Sequence, residues 1–394
     1  MQARGWIKDV MYGLIIFGIC AALILVISVA ADNIVAKHNA VIVSKNVNSN
    51  LDYDDSLCMS VDNVSGSEND ENVNLACDGK EQDNNNINDK KIVCWGDSIT
   101  YGLGGQENTY IKSEAGIIDA SNWNYPDTLR YYTGMDVYNL GVCGETSYEI
   151  ALRQGGIKMY VGKQVTVKPG KRTQISIVDE SGNPVILENF NGYETDNQQP
   201  ENVVYINDIP FKLEYDNSRI YISIYDNAVD KSVKLKKGSQ IITKAAHDIS
   251  GDVLVIQMGS NGGWNDYDEL IEQYKAMIAN SGTECYIIIG DTDNPEESVD
   301  SANYTSGQKI GTDDSMWEAA LREAFGEHFI NMRTYLLENA LNIAGLEPTQ
   351  MDEEDLSQGR VPETIKYDYT HLNSYGYYAI GYGVYEKGLE LGYW

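Results

Sequence analysis

Basic side chains are scarce. Against 59 Asp and Glu, the 394-residue chain carries only 29 Lys and Arg, a formal net charge of −30. That excludes nucleic acid as a partner, because displacing counterions from phosphate takes clustered Lys and Arg. It also disfavours docking on an anionic lipid surface by charge alone. Cysteine is sparse as well: there are six, none in a Cys-x-x-Cys pair, so neither a disulfide scaffold nor a zinc ribbon is expected. The sequence holds no cluster with metal-ligand spacing, no phosphate-cradling glycine loop and no cofactor motif, so no cofactor or metal is expected. Histidines number four, which leaves few candidates for any base. What remains is ordinary for a globular protein, 42% hydrophobic and 22% charged, which excludes wholesale disorder. The length allows one large domain or two smaller ones.

One long apolar run is present. Val10 to Ala31 is 22 residues without a charge, enough as a helix at ~1.5 Å per residue to span a bilayer's hydrocarbon core. Arg4 and Lys8 precede it and Asp32 follows, which predicts a cytoplasmic N-terminus and a body outside the cytoplasm. Ser28-Val-Ala30 and Val29-Ala-Ala31 resemble small-residue cleavage sites, so a cleaved signal peptide is the competing reading. The run exceeds the usual ~7–15-residue signal core, which favours an uncleaved single-pass anchor. Between Asn48 and Lys90 stand 11 Asp or Glu and ten Asn. Such a segment buries too little apolar surface to offset chain entropy, and reads as a solvated stalk. Cys58 and Cys77 within it could close a loop in an oxidising compartment. The expected organisation is therefore a tail at 1–9, a transmembrane helix at 10–31, a stalk at 32–89 and a catalytic domain from residue 90.

From Lys91 the pattern changes. Lys91-Ile-Val-Cys-Trp95 is a short buried strand running into the turn Gly96-Asp97-Ser98-Ile99-Thr100. Similar strands are expected at Asp136–Asn139, Val253–Met258, Cys285–Gly290 and Phe329–Asn331. Helices are expected at Tyr125–Thr133, Thr146–Gln154, Tyr267–Asn280, Ser315–Phe325 and Ser374–Leu391. Alternation of this kind implies an α/β fold with a parallel sheet covered on both faces, and ligands beyond the strands' carboxyl ends. From residue 157 to 248 the signal turns to period-two strands. Thr173–Asp179, Val185–Glu188, Val203–Ile206, Phe211–Tyr215 and Arg219–Tyr225 are the clearest, with turns such as Glu180-Ser-Gly-Asn183 and Asp216-Asn-Ser218 between them. This predicts a small β-rich insert dividing the α/β domain into 90–156 and 249–394, since some 90 structureless residues in a compact domain would be exceptional.

Ser98 follows a buried strand, where a turn would hold its hydroxyl at the sheet's edge. A serine needs a neighbouring base to become a nucleophile. Of the four histidines, His38 lies in the stalk or beside the membrane, His247 at the end of the insert and His328 at the start of a strand. His371 lies in Asp368-Tyr-Thr-His371-Leu-Asn373, where an Asp three residues earlier can fix its tautomer and support the imidazolium.

Four blocks in order carry more than any one alone. Gly96-Asp97-Ser98-Ile-Thr100, Asn139-Leu-Gly141-Val-Cys-Gly144-Glu-Thr146-Ser, Gly259-Ser-Asn261-Gly262 and Asp368-x-x-His371 resemble the motifs of the SGNH, or GDSL-type, hydrolases. The resemblance covers residues 90–394 apart from the insert. It implies a flavodoxin-like three-layer α/β/α fold and ester-hydrolysing or acyl-transferring activity. It assigns Ser98 as nucleophile, His371 as base, Asp368 as its orienter, and the N–H groups of Ser98 and Gly144 with the Asn261 amide as oxyanion hole. Two positions depart from the family pattern: Glu145 and Gly262 stand where Asp is usual, and neither donates to the oxyanion. The segment Glu145-Thr-Ser-x-x-Ile150-Ala-x-Arg153-Gln-Gly-Gly156, with the insert, is similar to a Gram-positive bacterial subgroup. Trp95, Tyr101, Trp123 and Trp264 lie beside the blocks and could stack on sugar rings, although aromatics so placed more often belong to a core. The leading expectation is a membrane-tethered extracellular esterase removing acetyl groups from a carbohydrate or cell-wall glycan. The alternatives are a lipase-like or O-acyl-transferring enzyme on the same triad, or a glycan-binding surface protein with a vestigial site.

Overall fold

In the computed structural model the described residues are 90–113, 116–185, 202–216, 219–292 and 315–394. Five short strands form a parallel sheet: β1 (Lys91–Gly96), β2 (Asp136–Gly141), β3 (Val253–Gln257), β4 (Tyr286–Ile289) and β5 (Phe329–Ile330). Their spatial order is 2-1-3-4-5, and every pairing is parallel. The direction of travel across the sheet reverses between β1 and β3. In open α/β sheets that reversal opens a crevice beyond the strands' carboxyl ends, which is where Ser98 stands.

Alternation along β1 feeds two cores. Ile92 and Cys94 point to one face, and pack with α2 (Tyr125–Thr133), α6 (Met332–Ile343) and α7 (Ser374–Glu390) through Leu129, Leu336 and Ile380. Val93 and Trp95 point to the other, and pack with α3 (Ser147–Gln154), α4 (Tyr267–Ser281) and α5 (Met316–Phe325) through Ile150, Tyr274 and Leu321. A four-residue helix, α1 (Ser98–Tyr101), follows β1 directly. Helix starts are set by side-chain caps: Asn124, Thr146 and Ser315 each accept from the N3 backbone N–H while the N3 acid reaches back. This is why two helices expected to begin at Thr146 and Ser315 begin one residue later. Each of those residues is the cap.

Between α3 and β3 lies a separate β structure with its own core, which includes Val161, Ile177, Val204, Phe211, Ile222 and Leu235. Its largest sheet is antiparallel and has seven strands, in the order Thr173–Ile175, Arg219–Ile224, Ile209–Asp216, Val203–Ile206, Gln240–Thr243, Met159–Val161, Ile177–Val178. The expected strand Thr173–Asp179 is broken in two, because the Ser176 carbonyl turns to accept from Gly162 N–H (2.7 Å). Val185 carries no strand, and 186–188 lie outside the described residues.

The expected fold class is corrected on one point, its transmembrane helix. Among the described residues no helix is long and apolar enough to cross a membrane. The longest, α7, has 17 residues and ends in Glu386, Lys387 and Glu390, short of the ~20 apolar residues a bilayer needs. The expectations for 1–9, 10–31 and 32–89, including a Cys58–Cys77 loop, fall outside the described residues.

Candidate active site

The Ser98 turn is built by its neighbours. Asp97 caps α1, its Oδ1 accepting Ile99 N–H at 3.0 Å, so Ser98 becomes the first helical residue. As such its own N–H has no intrahelical acceptor. β2 must pass very close to this turn: a Cβ on Gly141 would lie 2.1 Å from the Tyr101 nitrogen, so only glycine fits. Val142 N–H then donates to the Gly96 carbonyl (3.0 Å), tying the next loop to the Ser98 turn. In that loop Gly144 adopts φ +79°, a left-handed conformation that costs glycine little.

His371 enters from the far end of the chain. Its loop is pinched by a Lys366↔Leu372 bridge and by Tyr367 N–H donating to its carbonyl (2.8 Å). Asn373 caps α7 and, through Nδ2, donates to the Thr364 and Lys366 carbonyls. So anchored, His371 Nε2 lies 2.9 Å from Ser98 Oγ, and Nδ1 lies 2.9 and 3.0 Å from the Asp368 oxygens. Asp368 Oδ1 also accepts the Thr370 and His371 N–H groups at 2.9 and 2.7 Å. Partial burial would raise the Asp368 pKa, but these bonds from His371 and Thr370 outweigh it and hold the carboxyl below its ordinary value. It is thus an anion facing the imidazole N–H. Ser98 is 6% exposed.

The third strand end supplies Asn261. Its Nδ2 donates to the Glu145 carbonyl at 3.1 Å, and because an amide has two N–H donors, one stays available for another acceptor. Ser147 fastens this loop to the previous one, its N–H and Oγ both donating to the Gly262 carbonyl (3.0 and 3.1 Å). The residues Ser98, Gly144 and Asn261 therefore stand after three adjacent strands, β1, β2 and β3.

The other described histidines are elsewhere. His247 stacks on Tyr205 (4.0 Å) and bonds Asp248, while His328 bonds the Tyr286 carbonyl and the Tyr393 hydroxyl. His38 lies outside the described residues. Of the four aromatics singled out, Trp95 is buried core, Trp264 packs on Trp317 with Nε1 donating to the Gly259 carbonyl, and Trp123 is half-buried against Tyr131 and Tyr378. Tyr101 is 44% exposed. Sequence reading missed Tyr367 and Tyr369, 55% and 70% exposed on either side of Asp368. Their place within and just before the last motif was the available signal.

Asp97, next to Ser98, and Glu145, next to Gly144, are both fully buried. Burial pushes Asp97 up to about 7, aided by Asp291 and opposed by the Ile99 N–H. Burial likewise pushes Glu145 up to about 7, against the pull of Arg153. Among the described residues no group of three or more His, Cys, Asp or Glu is placed to hold a metal ion.

No protein-family model matches the chain, and no curated protein does. Solved structures do. The chain is similar at 12% identity to a candidate lipolytic protein of the G-D-S-L family from Desulfitobacterium hafniense DCB-2, over 76% of this chain and 99% of that one, with a TM-score of 0.35. A second crystal structure is similar at 12% identity over 77% and 98%, with a TM-score of 0.32. Neither likeness is close enough to bear on activity, which has to be read from the residues themselves.

Proposed function

We propose that the protein is a serine esterase of the SGNH, or GDSL, type, acting on short acyl esters through an acyl-enzyme. The observation that carries this reading is the chain of contacts Ser98 Oγ–His371 Nε2 and His371 Nδ1–Asp368. In the first half-reaction Ser98 Oγ attacks the ester carbonyl as its proton passes to His371 Nε2. The Asp368 carboxylate stabilises the imidazolium, and the oxyanion forms against the Ser98 and Gly144 N–H groups and the Asn261 amide. His371 then gives the proton to the leaving alcohol, and the acyl group stays on Ser98. Water, deprotonated by the same imidazole, releases the acid and restores the serine.

The substrate we favour is an O-acetylated carbohydrate. Tyr101, Tyr367 and Tyr369 offer exposed rings with hydroxyl tips next to the triad residues in sequence, a surface suited to sugar rings rather than to a long acyl chain. The test is to give the full-length protein p-nitrophenyl esters from C2 to C12 and acetylated glycans. Activity should fall steeply beyond C4. A maximum at C8 or longer would replace the glycan reading by a lipase, and transfer of the acyl group to added sugar alcohols would make it a transferase. Failure to react with a fluorophosphonate probe would leave a glycan-binding protein with an idle triad.

A further inference from the structure

Glu145 directly follows Gly144, the residue read above as an oxyanion donor, and its side chain is buried. Its carboxylate is 0% exposed and meets Arg153, itself 1% exposed, from α3. Arg153 Nε lies 2.9 and 2.8 Å from the two Glu145 oxygens, and Nη2 lies 2.7 Å from Oε2. The same Nη2 donates to the Leu140 carbonyl at 2.8 Å, and the guanidinium sits 4.9 Å from the centre of the Trp95 ring. One arginine thus touches the end of β2, the end of β1 and the loop between β2 and α3. From the opposite side the Glu145 carbonyl receives Asn261 Nδ2 at 3.1 Å.

This residue is therefore held at three points, through its side chain by Arg153, through its carbonyl by Asn261 and through its N–H by the Val142 carbonyl (3.3 Å). The clamp matters because the preceding residue is a glycine at φ +79°, whose N–H direction is soft unless the next residue is held. Stability is a poor account of such a pair, since the desolvation cost of a buried ion pair commonly cancels its attraction. Placement is the better one. Resting on the esterase reading above, we propose that Arg153 and Glu145 are a positioning pair that sets the direction of the Gly144 N–H and of the Asn261 amide, so that Arg153 governs oxyanion stabilisation without touching substrate. It also gives a reason for an acid at 145, whose carboxylate meets Arg153 while its backbone carbonyl accepts from Asn261.

The experiment compares the full-length parent with Arg153→Met and Arg153→Lys. Active sites are counted with a fluorophosphonate carried to completion, and kcat and KM for p-nitrophenyl acetate are expressed per counted site. The inhibition constant of an arylboronic acid, which mimics the tetrahedral adduct, is measured alongside. Misaimed donors should lower per-site kcat of Arg153→Met by about 10–100-fold, with KM within about twofold and boronate affinity falling in parallel. Arg153→Lys should lie between, because lysine keeps the charge but not the fork. A purely structural role would reduce the number of counted sites while per-site kcat and boronate affinity stayed within twofold of the parent, and that result overturns the proposal. If the methionine variant does not fold, the lysine variant decides on the same two readouts. A parent that neither turns over the ester nor takes the phosphonate brings down the esterase reading first, and the pair's catalytic role with it.

Discussion

Asp97→Asn is a substitution whose effect on stability should change with pH. Asp97 is fully buried, one oxygen capping α1 and the other, Oδ2, without a hydrogen-bond partner among the described residues. Burial, with Asp291 adding to it, lifts its pKa from 3.8 to about 7. Between those values the folded protein holds a proton that the unfolded chain has released. The unfolded state binds fewer protons there, so the unfolding free energy falls as pH rises through the window and stays low above about 7. A difference of roughly three pH units at ~1.4 kcal/mol each amounts to a cost of about 4 kcal/mol at most. Asparagine keeps the capping oxygen and cannot ionise. Its advantage over the parent should be smallest near pH 4 and grow by up to ~1.4 kcal/mol per pH unit before levelling off above 7, reduced throughout by the need to partner a buried NH2 (about 1–3 kcal/mol). Urea unfolding of the full-length protein at pH 4, 5, 6, 7 and 8 measures this directly. A stability difference that is flat across the series, or that moves against asparagine as pH rises, refutes the account of a carboxyl held neutral behind the nucleophile.

Ser98→Ala and His371→Ala should each abolish turnover almost completely, and the double variant should be little worse than either, since the two side chains act as one unit; steady-state assays per mole of folded protein check this. His247→Ala and His328→Ala, whose rings bond Asp248 and Tyr286 rather than Ser98, should keep most activity. Asn261→Ala should lower kcat by ~10²–10³ with KM little changed, because the amide meets the oxyanion only after attack. Gly141→Ala, whose new methyl would lie 2.1 Å from the Tyr101 nitrogen, should cost about 1–3 kcal/mol in urea unfolding through forced backbone movement.

The strands and helices that the sequence displayed best were those with one demand on them. β1 is apolar on both faces because both are covered, and it ends at Gly96 before the polar pair Asp97-Ser98, so its limits were readable almost to the residue. Helix α2 was readable at both ends because Asn124 caps it and Gly134 at φ +66° stops it. Other elements hid behind weaker signals. Helix α6 escaped because Asn331 begins it without a capping acid and its polar positions interrupt the apolar period. The hairpin of Tyr110–Ser113 with Gly116–Asp119 is only four residues on each side. In the insert, Met159–Val161 pairs with Gln240–Thr243 across nearly the whole β unit, a partnership that local periodicity cannot register.

The site itself divides along a similar line. The contact of Ser98, His371 and Asp368 was legible because only four histidines had to be weighed and one of them follows an Asp by three residues. The supports beneath them were not. Arg153 is eight residues from Glu145 in sequence, just over two helical turns, and nothing in that spacing says that its guanidinium will pass beneath the loop to the Leu140 carbonyl and over the Trp95 ring. Such contacts exist only once the sheet order 2-1-3-4-5 has brought β2 and β3 to either side of β1. With β1 at the centre, the loops after β2 and β3 must meet over the Ser98 turn, and whatever joins them must bridge 116 residues of sequence, as the Asn261–Glu145 bond does. The order of the strands thus brings three separate short turns to one edge of the sheet, and the contacts that join them, Asn261 to Glu145 and Arg153 to Leu140 among them, follow from that order rather than from the spacing within any one segment.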